Sequence, residues 1–336
     1  VKPVGVEHKL GIHSSPTCTL AFGDNGGAIG YLVGPLNQGL MCMFSMMNHA
    51  RLAVGHQGVS VGERAYQQAV EYASQRIQGA VQGVQGRASI IHHPDVKRML
   101  AQMRALTEAG RAMSLYTIAA EDRASHHVDE EVRQLSAQRV EIMTPLVKGW
   151  CTEMAMETTS LGVQVHGGMG FIEETGAAQH MRDARILPIY EGTNGIQALD
   201  FIGRKCLRDK GKGIQQLITE MTESANNCSC KTLQEILFAT IEQCQSALEH
   251  VLQNSHKASF VAYQYMMLFG NSIAFWQLCV LACVAQKKMD AGDNDKFLSQ
   301  KIATAQFFST QILPRNHAHL EAIVSDAKCV DELSFD

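Results

Sequence analysis

From about Met41 onward, apolar residues recur three and four positions apart, and this helical period holds almost to the end of the chain. Residues 1–40 read differently. They are rich in glycine and carry short alternating pieces, "CTLAF" and "AIGYLVG", that predict strands and turns. The first long helix is expected near 41–77. On it Gly55, Gly58, Gly62, Ala65 and Ala69 alternate steps of three and four, a narrow seam that another helix can approach closely. A glycine-rich linker, "GAVQGVQGRAS", follows. "HHPDVKRML" then opens a second helix, with Pro94 near its first turn, running to about Asp122. A third is expected over 130–164, bent near Pro145 and ending at the glycines of "HGGMG".

The stretch "ILPIYEGTNGIQALDFIGRK" sets a lone acid, Glu191, between a tyrosine and a glycine. Thr193 has the chemistry of an N-cap, and Ile196, Leu199 and Ile202 mark the apolar side of a helix running to about Leu207. Glu191 thus stands beside free backbone N–H groups at the positive end of a helix dipole. It is either an electrostatic stabiliser or a base held ready, and the residues alone leave both readings open. A basic linker, "RDKGKG", then divides the helices of 41–208 from those of 212–336, among them 231–254 and 258–287.

Composition narrows the function classes. The chain has 336 residues, 46% of them hydrophobic, enough for two or more domains. With 29 basic against 33 acidic residues, no global field draws it to nucleic acid or an anionic membrane. No apolar run reads as long enough to span a bilayer, and no signal peptide is visible behind the initial Val1. Ten cysteines are spread thinly. Cys228 and Cys230 form a C-x-C pair and Cys279 and Cys283 share a helical face, but neither pair has companions at zinc-site spacing. Reduced, mostly buried thiols and a cytoplasmic location are the expectation, with no metal.

Two further features could carry chemistry. The glycines of "VQVHGGMGF", residues 163–171, could bring backbone close to a phosphate. A helix precedes them where a dinucleotide fingerprint needs a strand, so a helix cap is the simpler reading. Arg51 and Arg76 lie on the first helix about seven turns apart, and lone arginines there are ordinarily solvated.

Taken together, the run "GVQVHGGMGFIEETGAAQHMRDARILPIYEGTNGIQ" resembles the C-terminal signature of the flavin-dependent acyl-CoA dehydrogenases. The long extension after "GRK" resembles the larger bacterial subgroup that includes 3-methylmercaptopropionyl-CoA dehydrogenases. The resemblance is clear over residues 8 to about 207 and looser beyond. It implies that Glu191 is the base that removes the substrate α-proton while a β-hydride passes to flavin N5. The Glu191 backbone N–H would help to polarise the thioester carbonyl, together with a ribityl hydroxyl of the flavin. A carboxylate desolvated by flavin and acyl chain is a stronger base, and enolate-like charge needs donors in a dry site. Tyr190 would line the acyl pocket, Arg51 would stand near the carboxylate, and Thr193 would meet the FAD pyrophosphate. Gln164, Gly168 and Arg76 match positions that contact FAD bound mainly by a neighbouring subunit.

Two positions depart from the family's pattern: Gly195, where glutamine is frequent, and Gly79, where the family often has an aromatic adenine contact. The family also carries an N-terminal helical domain and a β-barrel-like middle domain, and this chain is expected to begin within the last strands of the latter. The expected fold is therefore mainly α: residues 1–40 as a β remnant, 41–208 as the dehydrogenase C-terminal bundle, and 212–336 as an additional helical domain. The expected activity is α,β-dehydrogenation of an acyl-CoA with FAD, passing electrons to an electron-transfer flavoprotein, in at least a homodimer. The alternative is a non-catalytic family member or fragment acting as a binding or assembly module.

Overall fold

The computed structural model describes residues 1–83, 86–325 and 332–334 of the chain, and it is mainly helical. Two short strands, β1 (Lys2–Val6) and β2 (Cys18–Ala21), pair antiparallel in the N-terminal region. "CTLAF" is thus a strand as expected. "AIGYLVG" is not: residues 28–34 carry no regular structure and are exposed, and among the described residues no strand pairs with them to take their backbone hydrogen bonds.

Three long helices make the first bundle: α1 (Gly39–Gln75), α2 (Pro94–His126) and α3 (Glu130–His166). Between α1 and α2 the glycine-rich linker is a small hairpin, β3 (Ile77–Ala80) against β4 (Arg87–Ser89). The seam on α1 faces α3. A Cβ on Gly55 would lie 2.7 Å from the Val147 carbonyl oxygen, and one on Gly58 2.6 Å from that of Cys151. Further along, Tyr72 stacks on His166 with ring centroids 4.4 Å apart. Contacts that advance together on both helices mean that α1 and α3 run parallel, so their C-terminal ends share one end of the bundle. α3 continues through the buried Pro145 and stops at Gly167, whose φ of 60° makes the cap the glycines predict.

α4 (Ala177–Ala184) and α5 (Asn194–Leu199) flank the Glu191 turn. The single helix expected over 194–207 is shorter than its pattern, because residues 200–204 widen into a π turn. α6 (Lys212–Asn226), α7 (Lys231–Gln253), α8 (Ala258–Asp290), α9 (Lys296–Gln311) and α10 (Arg315–Val324) complete the chain. One hydrophobic core runs from Leu52 on α1 to Ile323 on α10, across the basic linker. Trp150 on α3 donates from Nε1 to Asn271 Oδ1 on α8 at 2.8 Å, and Asn271 donates to Asn316 Oδ1 on α10 at 3.0 Å.

α8 corrects one sequence expectation. By length and composition it could cross a membrane, yet 72% of its most apolar window is buried inside the bundle. Its long apolar run is therefore that of a core helix, buried on every face through its middle and exposing Val280, Leu281 and Val284 near its C-terminal end.

Candidate active site

The Glu191 turn is built from backbone strain held in place by side chains. Glu191 (φ 57°) and Gly192 (φ 87°) are left-handed in succession, which reverses the chain ahead of α5. The conformation costs a non-glycine residue about 1–2 kcal/mol, and it persists where the surroundings over-determine it. At Gly192 a side chain would be strained at this φ, and its Cβ, 2.7 Å from Gln197 Nε2, would displace the amide that holds the turn. Asn194 N donates to Pro188 O at 3.0 Å and closes the turn. Thr193 is the N-cap, its hydroxyl accepting from Ile196 N at 3.3 Å.

Two side chains pin the strained peptide. Arg51 donates from Nε to the Glu191 carbonyl at 3.3 Å, and Gln197 donates from Nε2 to the same oxygen at 3.4 Å. Arg51 is therefore buried rather than solvated, because it holds a distant loop. Tyr190 donates its hydroxyl to Gln57 Oε1 on α1. Burial pushes the Tyr190 phenol up, and the Glu191 charge adds to the shift. Among the described residues the half-buried Glu191 carboxylate accepts no hydrogen bond.

Beneath the turn lies a group that the sequence reading missed. Lys148 on α3 is fully buried, and its Nζ donates to Asn194 Oδ1 at 2.9 Å. Asn194 in turn donates to Thr152 Oγ1 at 2.9 Å and Glu153 Oε1 at 2.8 Å. Burial pulls Lys148 down to about 8, against the pull of the Glu153 carboxylate; Arg51 lowers it further and Glu191 raises it. The signal was one lysine inside the apolar run "PLVKGW", where a charge needs a buried partner.

The structure sorts the predicted residues into two groups. Glu191, Tyr190, Arg51 and Thr193 meet at this turn. Arg76, Gln164 and Gly168 are exposed at the other end, where α1 and α3 finish. Arg76 is the C-cap of α1 and donates to Gln78 Oε1 at 3.5 Å. Since α1 is straight-run helix between Arg51 and Arg76, the two arginines are about 37 Å apart along its axis.

Residues 37–207 match the family profile described as "Acyl-CoA dehydrogenase, C-terminal domain". The chain belongs to the acyl-CoA dehydrogenase family. Residues 214–334 of this acyl-CoA dehydrogenase chain match a second profile, "Acetyl-CoA dehydrogenase C-terminal like". It is 47% identical to the 3-methylmercaptopropionyl-CoA dehydrogenase of Ruegeria pomeroyi over 92% of this chain and 54% of that one. A broad-specificity linear acyl-CoA dehydrogenase of Mycobacterium tuberculosis is 34% identical over 98% of this chain and 58% of its own length. The chain thus spans about half the length of these relatives. In fold it is similar to an acyl-CoA dehydrogenase from Bacillus anthracis complexed with FAD, with a TM-score of 0.76 at 24% identity, covering 98% of this chain and 58% of that one.

Proposed function

We propose that this chain carries the catalytic carboxylate of an FAD-dependent α,β-dehydrogenation of acyl-CoA thioesters, with Glu191 as the base. The observation that supports it most is the Glu191 turn: a strained backbone, pinned through its carbonyl by Arg51 and Gln197, presenting a carboxylate with no hydrogen-bond partner among the described residues. In an ion pair its oxygens would be committed to a partner, whereas among the described residues none engages them.

In this reading Glu191 takes the proton from the substrate α-carbon, and its own backbone N–H helps to hold the thioester carbonyl as negative charge develops there. The pinned peptide keeps acid and donor in fixed relation, which is what a proton transfer of this kind requires. Tyr190, anchored to Gln57, lines the acyl side. FAD, when bound, supplies the hydride acceptor for the β-carbon. The residues present fit such a group: the Thr193 hydroxyl can still donate while capping α5, and Gln197 Oε1 is buried with no hydrogen-bond partner among the described residues. Electron-transfer flavoprotein is the proposed acceptor and a homodimer the proposed assembly. The identity to the Ruegeria enzyme makes 3-methylmercaptopropionyl-CoA the first substrate to try.

The test is Glu191→Gln in the full-length enzyme, assayed with a panel of acyl-CoAs while bound flavin is followed by its absorbance. Turnover should fall by about 10²–10⁴-fold with flavin retained. Activity within threefold of the parent would rule out Glu191 as the base.

A further inference from the structure

Away from the Glu191 turn, four cysteines converge where the turn between α6 and α7 packs on α8. The sulfurs of Cys228 and Cys283 lie 3.1 Å apart although 55 residues separate them in sequence. Cys228 also donates to the Cys230 carbonyl at 3.6 Å. Cys279 stands one turn before Cys283 on α8, and its thiol is pushed up by burial and further by Cys228, Cys283 and Cys230. Cys228, Cys279 and Cys283 line a cavity of about 470 Å³ together with Tyr116, Trp276 and Lys287. The buried Trp276 Nε1 has no hydrogen-bond partner among the described residues. Nothing in the proposed dehydrogenation uses these groups.

The arrangement favours pair chemistry over chelation, because among the described residues no three ligating side chains are placed to hold one metal ion. We propose that Cys228 and Cys283 are a modification site, a dithiol that a peroxide converts to a reversible disulfide. Joining them takes a closure from 3.1 Å to the bond length of about 2.05 Å, a movement of roughly 1 Å by a residue in a turn.

The two thiols have different roles. Cys283 is partly exposed on the cavity wall, with Lys287 one turn further on the same wall, so it meets a dissolved oxidant first. Glu223 and Glu220, the latter paired with Arg139 and accepting from the Tyr116 hydroxyl, also line the cavity. Cys228 is buried, and burial pushes its thiol up to about 11. In the first step the Cys283 thiolate attacks the peroxide: an S–O bond forms, the O–O bond breaks, and the departing hydroxide takes up a proton as water. In the second, the Cys228 sulfur attacks the sulfenic sulfur of Cys283. An S–S bond forms, the S–O bond breaks, and a second water leaves with the Cys228 proton. The two thiols lose two electrons and the peroxide gains them.

The bond would staple the α6–α7 turn to α8 and close a loop that contains all of α7. Such a loop constrains the unfolded chain and raises the melting temperature.

The experiment uses this chain, reduced and then exposed to hydrogen peroxide, with intact mass and a non-reduced peptide map as readouts. The expected result is a mass lower by two hydrogens, a Cys228–Cys283 cross-linked peptide, a raised Tm, and reversal of all three by dithiothreitol. In Cys228→Ser the sulfenic acid of Cys283 has no partner and dimedone traps it; in Cys283→Ser both the cross-link and the trapping vanish. Melting in dithiothreitol checks that each variant folds like the parent. Where a variant does not fold, the peptide map of the unaltered chain decides. A cross-link through Cys230 or Cys279 in place of this pair, or peroxide treatment that leaves Cys228 and Cys283 unlinked, overturns the proposal.

Discussion

Arg51 donates its Nε to the backbone carbonyl of Glu191, 140 residues away, and makes no ion pair with the Glu191 carboxylate. The arginine thus fixes where the acid sits without neutralising it. Arg51→Gln in the full-length enzyme should lower kcat by about 10–10²-fold, the scale of misplacing a reacting group by about 1 Å. Bound flavin should stay near the parent's level, because the turn keeps Gln197 and the Thr193 cap. Stopped-flow reduction of the flavin by substrate measures the effect, and an unchanged rate would remove Arg51 from the mechanism.

Lys148 makes a pH prediction with a definite sign. Its folded-state value is lowered to about 8 from an ordinary 10.5, chiefly by burial. Between those values the unfolded chain holds a proton that the folded chain has released, so stability rises with pH across that window. Below pH 8 both states are charged and the folded state carries the full cost of burying the ammonium. Urea midpoints of the parent and of Lys148→Met, taken from pH 7 to 10.5, should show the parent gaining on the variant as pH rises. A gap that stays flat would mean that Lys148 is charged throughout.

The seam on α1 is tested by a single methyl group. The Cβ of Gly58→Ala would sit 2.6 Å from the Cys151 carbonyl oxygen, a backbone atom that cannot rotate away. Overpacking of this kind costs about 1–3 kcal/mol, and chemical denaturation of this chain should report a loss in that range. Gly203→Ala is the control, since its Cβ would meet nothing within 4 Å. Equal effects at the two positions would count against close approach at the seam.

That seam was legible in the sequence because small residues at steps of three and four leave few alternatives on a helix. So were the caps, Thr193 and Gly167, which are fixed by local backbone geometry. What depended on distant neighbours was not legible. "AIGYLVG" alternates as a strand should, but pairing needs a second strand and none lies beside it. The β3–β4 hairpin was hidden by glycine density that equally describes a linker. The short α5 and its π turn follow from packing against α8, which local periodicity does not encode. At the site, the acid and Arg51 stood out through a resemblance. Lys148, Asn194 and Gln197 stayed silent, because their roles come only from a network assembled across α3 and α5.

The two groups of predicted cofactor residues make the assembly testable. If one FAD site drew on both groups of a single chain, it would have to reach across the roughly 37 Å that separate Arg51 from Arg76 along α1. If the Arg76 end instead serves a partner's site, each site combines Glu191 of one subunit with Arg76 of the other, as a twofold assembly allows. The full-length variants Glu191→Gln and Arg76→Ala should then each be impaired as homodimers, the second through weaker flavin retention. Unfolded together in equal amounts and refolded, half of the dimers are hybrids. Each hybrid has one site with both lesions and one with neither, so activity should return to about a quarter of the parent's. Lesions that fall in one site of a single chain cannot complement, and a refolded mixture no more active than the average of the two separately refolded variants would place Arg76 in the site of its own chain's Glu191 or in none.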